Sequence, residues 1–281
     1  MNNRRKEVRT LIRLSSEEVL TQAANHLIVC EDLQALYLRF AQDIANEIRI
    51  LNSRGLPTRL ILPVGPIGQY PLLVQMINKE KLSLEDCWFF IMDEYCDESG
   101  RALPIDHPLS FKRIIYDIFF NRLEKTLNLR PEHIFIPDEL NINRLTEIID
   151  NIGGIDTCYG GIGIHGHIAF NEPEPGVSKT DPRKVQLNDF TRTINAIRAE
   201  VGGNLECFPR EAFTLGMKQI LNAQSIRLYC RNGSPYDWAN TILRIALFAQ
   251  PGDDYPVTHI RNHDYVIVTD QETLACPKNL L

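Results

Sequence analysis

Long apolar runs are missing from this chain, and so is any excess of positive charge. No hydrophobic stretch approaches the ~20 residues that a bilayer-spanning helix needs, which excludes a helical membrane protein. The N-terminus is polar through Arg9 and lacks the apolar core of a secretory leader, so the expected location is the cytoplasm. A formal net charge of −6 removes any general attraction to nucleic acid or to an anionic membrane. The basic cluster Arg4-Arg5-Lys6 is too short to reverse that and reads as a solvated terminus. No C-x-x-C pair occurs among the seven cysteines, and the odd, scattered set excludes a disulfide frame and a zinc ribbon. Cys87, Cys158 and Cys230 fall in or beside expected strands, where a free thiol packs as a small apolar group. Internal repeats and low-complexity linkers are also lacking, so one domain over residues 1–281 is expected.

What is present reads as an α/β chain. Ser15-x-x-Glu18 is a capping-box pattern opening an amphipathic helix that is expected to run to about Val29. A second helix is expected from Glu31 to Asn52, with Leu33, Leu36, Phe40, Ile44 and Ile48 at helical spacing and Gly55 beyond its end. Apolar strands are predicted at Thr58–Val64, Cys87–Met92, His133–Ile136, Ile155–Tyr159, Ser225–Cys230 and Asp264–Thr269. Further helices are predicted near Tyr70–Glu80, Pro108–Asn121, Ile142–Ile152, Arg210–Leu221 and Tyr236–Gln250. Continuous apolar strands alternating with helices require a mostly parallel sheet covered on both faces. Residues 171–203 lack strong periodicity and are expected to form a mobile cover over a site.

Chemistry concentrates at the strand ends. Asp93 and Glu94 directly follow an apolar strand, where a carboxylate can enter a cleft and serve as a base; a helix cap or solvated turn is the alternative. The segment Gly160-Gly161-Ile162-Gly163-Ile164-His165-Gly166-His167 leads to Glu172 and puts two imidazoles and a carboxylate in one glycine-rich turn. A histidine paired with a carboxylate is a proton shuttle near neutral pH. The same groups also match a metal-ligand set, and a turn with surface histidines is the plainer reading. Leu62-Pro63-Val64-Gly65-Pro66-Ile67-Gly68 joins a strand to a helix, a place where backbone N–H groups bind phosphate, but Pro66 has no N–H to offer and a plain βα connection is an equal alternative.

In their order, Met92-Asp93-Glu94-Tyr95, His107-Pro108-x-Ser110, Gly161-Ile162-Gly163-x-x-Gly166-His167-Ile168-Ala169-Phe170-Asn171-Glu172-Pro173, Thr191-Arg192 and Phe213-Thr214-Leu215-Gly216 resemble the glucosamine-6-phosphate deaminase (isomerase) family. The run from Gly166 to Pro173 also sets the chain apart from the related 6-phosphogluconolactonases. The resemblance implies a Rossmann-like three-layer α/β/α fold and conversion of an aminosugar phosphate to a ketose phosphate plus ammonia, with no cofactor. Its partner is then a small-molecule sugar phosphate, and family members suggest a homo-oligomer. By position, the resemblance makes Asp93 the base that moves a proton from C2 to C1, His167 the ring-opening acid/base and Glu172 its supporting carboxylate.

The chain departs from the family at three places. His165 stands where the family has an aspartate, so an anion is replaced by a neutral or cationic group. The turn Gly65, Pro66, Ile67, Gly68 loses two hydroxyls and one N–H from the family's phosphate turn. A phosphate-binding lysine has no counterpart, with Trp238 at the aligned position; Arg192 is kept at the place of a phosphate-contacting arginine, and Arg231 is a candidate substitute. Two other readings follow from these changes: a metal-dependent hydrolase or lyase using His165 and His167, and a non-catalytic sugar-phosphate binder.

Overall fold

The computed structural model describes residues 2–232 and 238–280. In chain order, the regular elements begin with α1 (Asn2–Leu11), α2 (Ser16–Ala23), β1 (Leu27–Cys30), α3 (Leu33–Ser53), β2 (Thr58–Leu62), α4 (Gln69–Glu80), β3 (Cys87–Ile91) and β4 (Asp93–Tyr95). They continue with α5 (Phe111–Ile118), β5 (Ile134–Phe135), α6 (Leu145–Asn151), β6 (Thr157–Gly161), β7 (Arg183–Gln186) and α7 (Asp189–Arg198). The last are β8 (Glu211–Thr214), α8 (Met217–Leu221), β9 (Ser225–Tyr229), α9 (Ala239–Phe248), β10 (Tyr265–Asp270) and α10 (Gln271–Leu274).

Seven strands form one sheet in the order β1-β10-β9-β6-β2-β3-β5, and every pairing in it is parallel. Strand periodicity divides each apolar run between two cores. Leu60, Leu62, Phe89 and Ile91 face Leu36, Phe40, Ile44 and Ile48 of α3, Leu73 and Ile77 of α4, and Ile115 of α5. Ile61, Phe90, Cys158, Ile226 and Ile267 face the opposite layer, built from α2, α6, α8 and α9. The expected three-layer α/β/α architecture is therefore present.

The strand order reverses between β2 and β6. From β2 the chain proceeds outward through β3 to β5, whereas from β6 it proceeds the other way through β9 and β10. Loops leaving two such adjacent strands diverge and open a crevice at their carboxyl ends, the usual ligand position in an open α/β sheet. The Pro63–Gly68 turn leaves one side of this crevice and the glycine–histidine loop leaves the other.

Several elements differ from the sequence expectation. The capping box forms, with Ser15 Oγ accepting from Glu18 N and the Glu18 carboxylate accepting from Ser15 N. Its helix nevertheless ends at Ala23, and Leu27–Cys30, expected as helix, becomes an edge strand paired with β10. Residues 211–214, also expected as helix, form β8, which sits between β4 and β7 in a three-stranded antiparallel sheet. Residues 171–203 carry β7 and α7 and share a small core of Tyr95, Phe170, Leu187, Ala196, Phe208 and Ala212. Arg4 is not a solvated group: it ion-pairs with Asp254 at 2.7 Å and donates to Gln250 O at 2.8 Å, holding α1 against α9. Tyr236 and Asp237, expected to begin the last long helix, lie outside the described residues; α9 begins at Ala239. No helix among the described residues is long and apolar enough to cross a membrane.

Candidate active site

The two adjacent acids after β3 separate. Met92 still belongs to the main sheet, donating N–H to Leu62 O at 3.0 Å, and its carbonyl accepts from Leu215 N at 2.8 Å. The chain then enters the small sheet, where successive side chains point to opposite sides. Glu94 turns toward α5 and accepts from Ser110 Oγ at 3.0 Å and from the N–H groups of Phe111 at 3.0 Å and Lys112 at 2.8 Å. It also accepts from Tyr95 N at 2.8 Å. Glu94 is therefore a buried anchor for the start of α5, satisfying N–H groups that a helix end leaves open.

Asp93 is placed differently. It is 7% exposed, and among the described residues no group hydrogen-bonds its carboxyl. Burial first, and the adjacent Glu94 second, push its pKa up to about 8. A carboxyl in that state is poised to exchange a proton near neutral pH.

The glycine–histidine loop is closed by its own backbone. Gly163 N donates to His167 O at 2.9 Å, and Gly166 N donates to Gly163 O at 2.9 Å. Gly166 turns the chain at φ +67°, and its carbonyl accepts from Val257 N at 2.7 Å. Gly163 gives the His167 ring its place: a Cβ there would lie 1.9 Å from His167 Nε2. The loop is then fastened to β8. Phe170 N donates to Thr214 Oγ1 at 3.1 Å, and Asn171 Nδ2 donates to Leu215 O at 2.9 Å. Thr214 is also the residue opposite Asp93 in the small sheet. Thus Thr214 and Leu215 tie the Asp93 strand and the Glu172 loop to one another.

His165, His167 and Glu172 come together. His165 Nδ1 lies 3.0 Å from Glu172 Oε2 in a directed hydrogen bond. His167 Nδ1 lies 3.3 Å from the same oxygen but off the hydrogen-bond line, and it is buried with no hydrogen-bond partner among the described residues. The His167 contact is thus electrostatic rather than directional. The other oxygen, Oε1, accepts from Thr191 Oγ1, a residue of α7. Burial opposes ionisation of Glu172, yet His167, Thr191 and His165 outweigh it and hold the carboxyl at about 2. Phe190 adds its ring to His165, with centroids 5.6 Å apart in an edge-on arrangement. Thr191 and Phe190 are contacts that periodicity did not single out, since they depend on where α7 lies.

Across the crevice, a Cβ on Gly161 would meet Pro66 Cδ at 3.1 Å and Gly65 O at 3.3 Å, so the Gly161 backbone lies close against the Pro66 ring and the Gly65 carbonyl. Gln69 Nε2 donates to Pro66 O at 2.8 Å, and the Tyr70 hydroxyl donates to Pro63 O, fixing the turn from within α4. Among the described residues no acceptor takes the N–H of Ile67 or Gly68. Gly68 packs on the Tyr37 ring, which leaves no space for a side chain. The Arg231 guanidinium lies 5.5 Å from the centre of that ring, and Arg198 lies 4.6 Å from the Trp238 ring. Burial raises the Tyr37 hydroxyl pKa, while Arg231 and Arg198 pull it down, so both cations act near the turn. Arg192 instead donates to Leu205 O at 2.6 Å and Pro209 O at 3.2 Å and ion-pairs with Asp189 at 3.2 Å. In this structure its guanidinium is engaged in holding residues 205–209.

No family model matches the chain. It is 32% identical over 213 residues to the glucosamine-6-phosphate deaminase of Phocaeicola vulgatus, covering 73% of this chain and 76% of that protein. It is 31% identical over 210 residues to the glucosamine-6-phosphate deaminase of Caenorhabditis elegans, covering 72% and 74%. Among solved structures, a monomeric glucosamine-6-phosphate deaminase superposes with a TM-score of 0.76 at 26% identity, over 88% of this chain and 98% of that one. The 6-phosphogluconolactonase of Thermotoga maritima superposes with a TM-score of 0.63 at 18% identity, over 87% and 99%, and is similar in fold alone.

Proposed function

The chain belongs to the glucosamine-6-phosphate deaminase family, and from that premise we propose that it converts a 2-aminoaldose phosphate and water to a ketose phosphate and ammonia. Asp93 takes the C2 proton of the opened sugar and returns it to C1. This leaves an imine carbon at C2, where water adds and ammonia departs. His167 moves the proton that opens the ring, and Glu172 stabilises the imidazolium formed. The observation that carries this reading is Asp93 itself, a buried carboxyl with no hydrogen-bond partner among the described residues and a pKa near 8, joined through Thr214 and Leu215 to the histidine loop. A base that removes a proton from carbon gains from such a setting, since hydrogen bonds to the carboxylate would weaken it.

The phosphate is assigned to the Gly65-Pro66-Ile67-Gly68 turn, where the N–H groups of Ile67 and Gly68 at the start of α4 receive it. Arg231 and Arg198 supply the positive charge, and Arg192 supports the wall beside α7. Residues 171–203 act as the cover: they bring Phe190 to His165 and Thr191 to Glu172 within a single-domain enzyme. A cytoplasmic location accords with seven cysteines that are all free.

Ammonia release across phosphorylated and unphosphorylated aminosugars tests the proposal, with solvent-deuterium exchange at C2 as the second readout. Activity on an aminosugar phosphate that disappears in Asp93→Asn supports it; exchange undiminished in Asp93→Asn overturns it. One observation favours a binder without turnover: His165, not His167, holds the directed bond to Glu172. Thermal stabilisation by sugar phosphates with no ammonia from any of them would establish that reading instead.

A further inference from the structure

We propose that His165, His167 and Glu172 form a binding site for a divalent transition-metal ion of the zinc class, and that the bound ion inhibits proton transfer by His167. One ligand atom from each residue lies within 4.8 Å of the other two. The two measured approaches to Glu172 Oε2 are 3.0 Å from His165 Nδ1 and 3.3 Å from His167 Nδ1. Ligands about 2.0–2.1 Å from a tetrahedral zinc stand ~3.3 Å from each other, so these two edges already fit. Rotation of the imidazoles about their side-chain bonds closes the remaining edge.

Three further features point to a cation. His167 Nδ1 is buried and has no hydrogen-bond partner among the described residues, so this nitrogen faces the cluster without a directed bond. Glu172 is fixed from outside the cluster, because Thr191 Oγ1 binds Oε1 and leaves Oε2 toward the imidazoles. An outer partner of that kind orients a ligand carboxylate. The side chain of His165 is 24% exposed, which gives an ion a way in and leaves a coordination position for water or a sugar oxygen. Two histidines and a glutamate with an open position are a known zinc donor set. An aspartate at 165 would leave a single imidazole, so the second nitrogen ligand depends on His165.

A cation on Nδ1 opposes a second proton on the His167 ring and occupies the carboxylate that would stabilise it. The inhibitory half of the proposal therefore rests on the deaminase reading, whereas the binding half does not.

The test uses the full chain stripped with EDTA and titrated with zinc chloride alone by calorimetry. One zinc per chain is expected. His165→Asn should weaken binding by more than the ~10–100-fold seen when an outer partner is lost. Cys207→Ser and Cys276→Ser, at the exposed thiols, should leave it unchanged. Circular dichroism checks that His165→Asn is folded, with His165→Gln as the replacement if it is not. No stoichiometric zinc, or zinc retained in the His165 variants and lost in the cysteine variants, overturns the site. In the ammonia assay, zinc should inhibit the parent and spare whatever activity His165→Asn retains; stoichiometric binding without inhibition overturns the inhibitory role. A zinc-free protein that binds zinc at His165 but releases no ammonia refutes the deaminase reading and supports the metal site.

Discussion

Replacing Asp93 by asparagine separates the catalytic and the energetic sides of one carboxyl. In the folded protein its pKa is about 8, against an ordinary value of 3.8. Between those values the folded state keeps a proton that the unfolded chain releases, so stability falls as pH rises through this window. At about 1.36 kcal/mol for each tenfold step, the cost reaches about 6 kcal/mol above pH 8, and about 4 kcal/mol of it accrues between pH 5 and pH 8. Asparagine has no such proton to lose. The variant-minus-parent melting temperature should therefore be small at pH 5 and rise by about 10 °C at pH 8, using about 2–4 °C per kcal/mol. Taking the difference at each pH cancels every titration the two proteins share. In the parent, kcat/KM should climb with pH to a limb near 8, because the base works only when ionised. A melting difference that stays flat from pH 5 to 8.5, or a limb near the ordinary carboxylate range, would refute the assignment of Asp93 as a buried, poised base.

Glu172→Gln should lower kcat/KM by ~10²–10⁴. Because the folded pKa is about 2 against 4.5, the stability Glu172 contributes is full above 4.5 and vanishes as pH falls through 2, so denaturant titrations should show a deficit of about 3 kcal/mol at pH 6 and none at pH 2. Gly163→Ala puts a Cβ 1.9 Å from His167 Nε2 and must displace the ring; ammonia release should fall ~10²-fold or more while stability drops by only about 1–3 kcal/mol in urea. Arg244 is 0% exposed and donates to the carbonyls of Leu14, Asn240, Leu274 and Ala275. Arg244→Leu should cost about 3–5 kcal/mol by denaturant midpoint, since several buried acceptors lose their donor at once.

Where sequence and structure agree, the agreement comes from residues whose local chemistry and tertiary role coincide. The runs at Thr58, Cys87 and Ser225 are apolar enough to be strands and are buried on both faces. The disagreements have tertiary causes. Leu27–Cys30 continues an apolar pattern that a helix could use, but Ala24 at φ +47° breaks the helix and β10 supplies the pairing. Glu211–Thr214 is a strand only because Asp93–Tyr95 and Arg183–Gln186 flank it, partners more than 100 and about 28 residues away in the chain. At the site, the clustering of His165, His167 and Glu172 is visible in spacing. The division between Asp93 and Glu94 is not, because only α5 reveals which acid serves as its anchor. Likewise Arg192 gives no hint in sequence that backbone carbonyls take its guanidinium.

The two lips of the crevice between β2 and β6 meet where Gly161 has no side chain, opposite the Gly65 carbonyl and the Pro66 ring. Their close approach therefore depends on Gly161 lacking a Cβ. None of the polar side chains of the histidine loop takes part in that contact. With the phosphate on the turn and the sugar on the histidine loop, as proposed, the two halves of the substrate would be read by surfaces that can change one lip at a time.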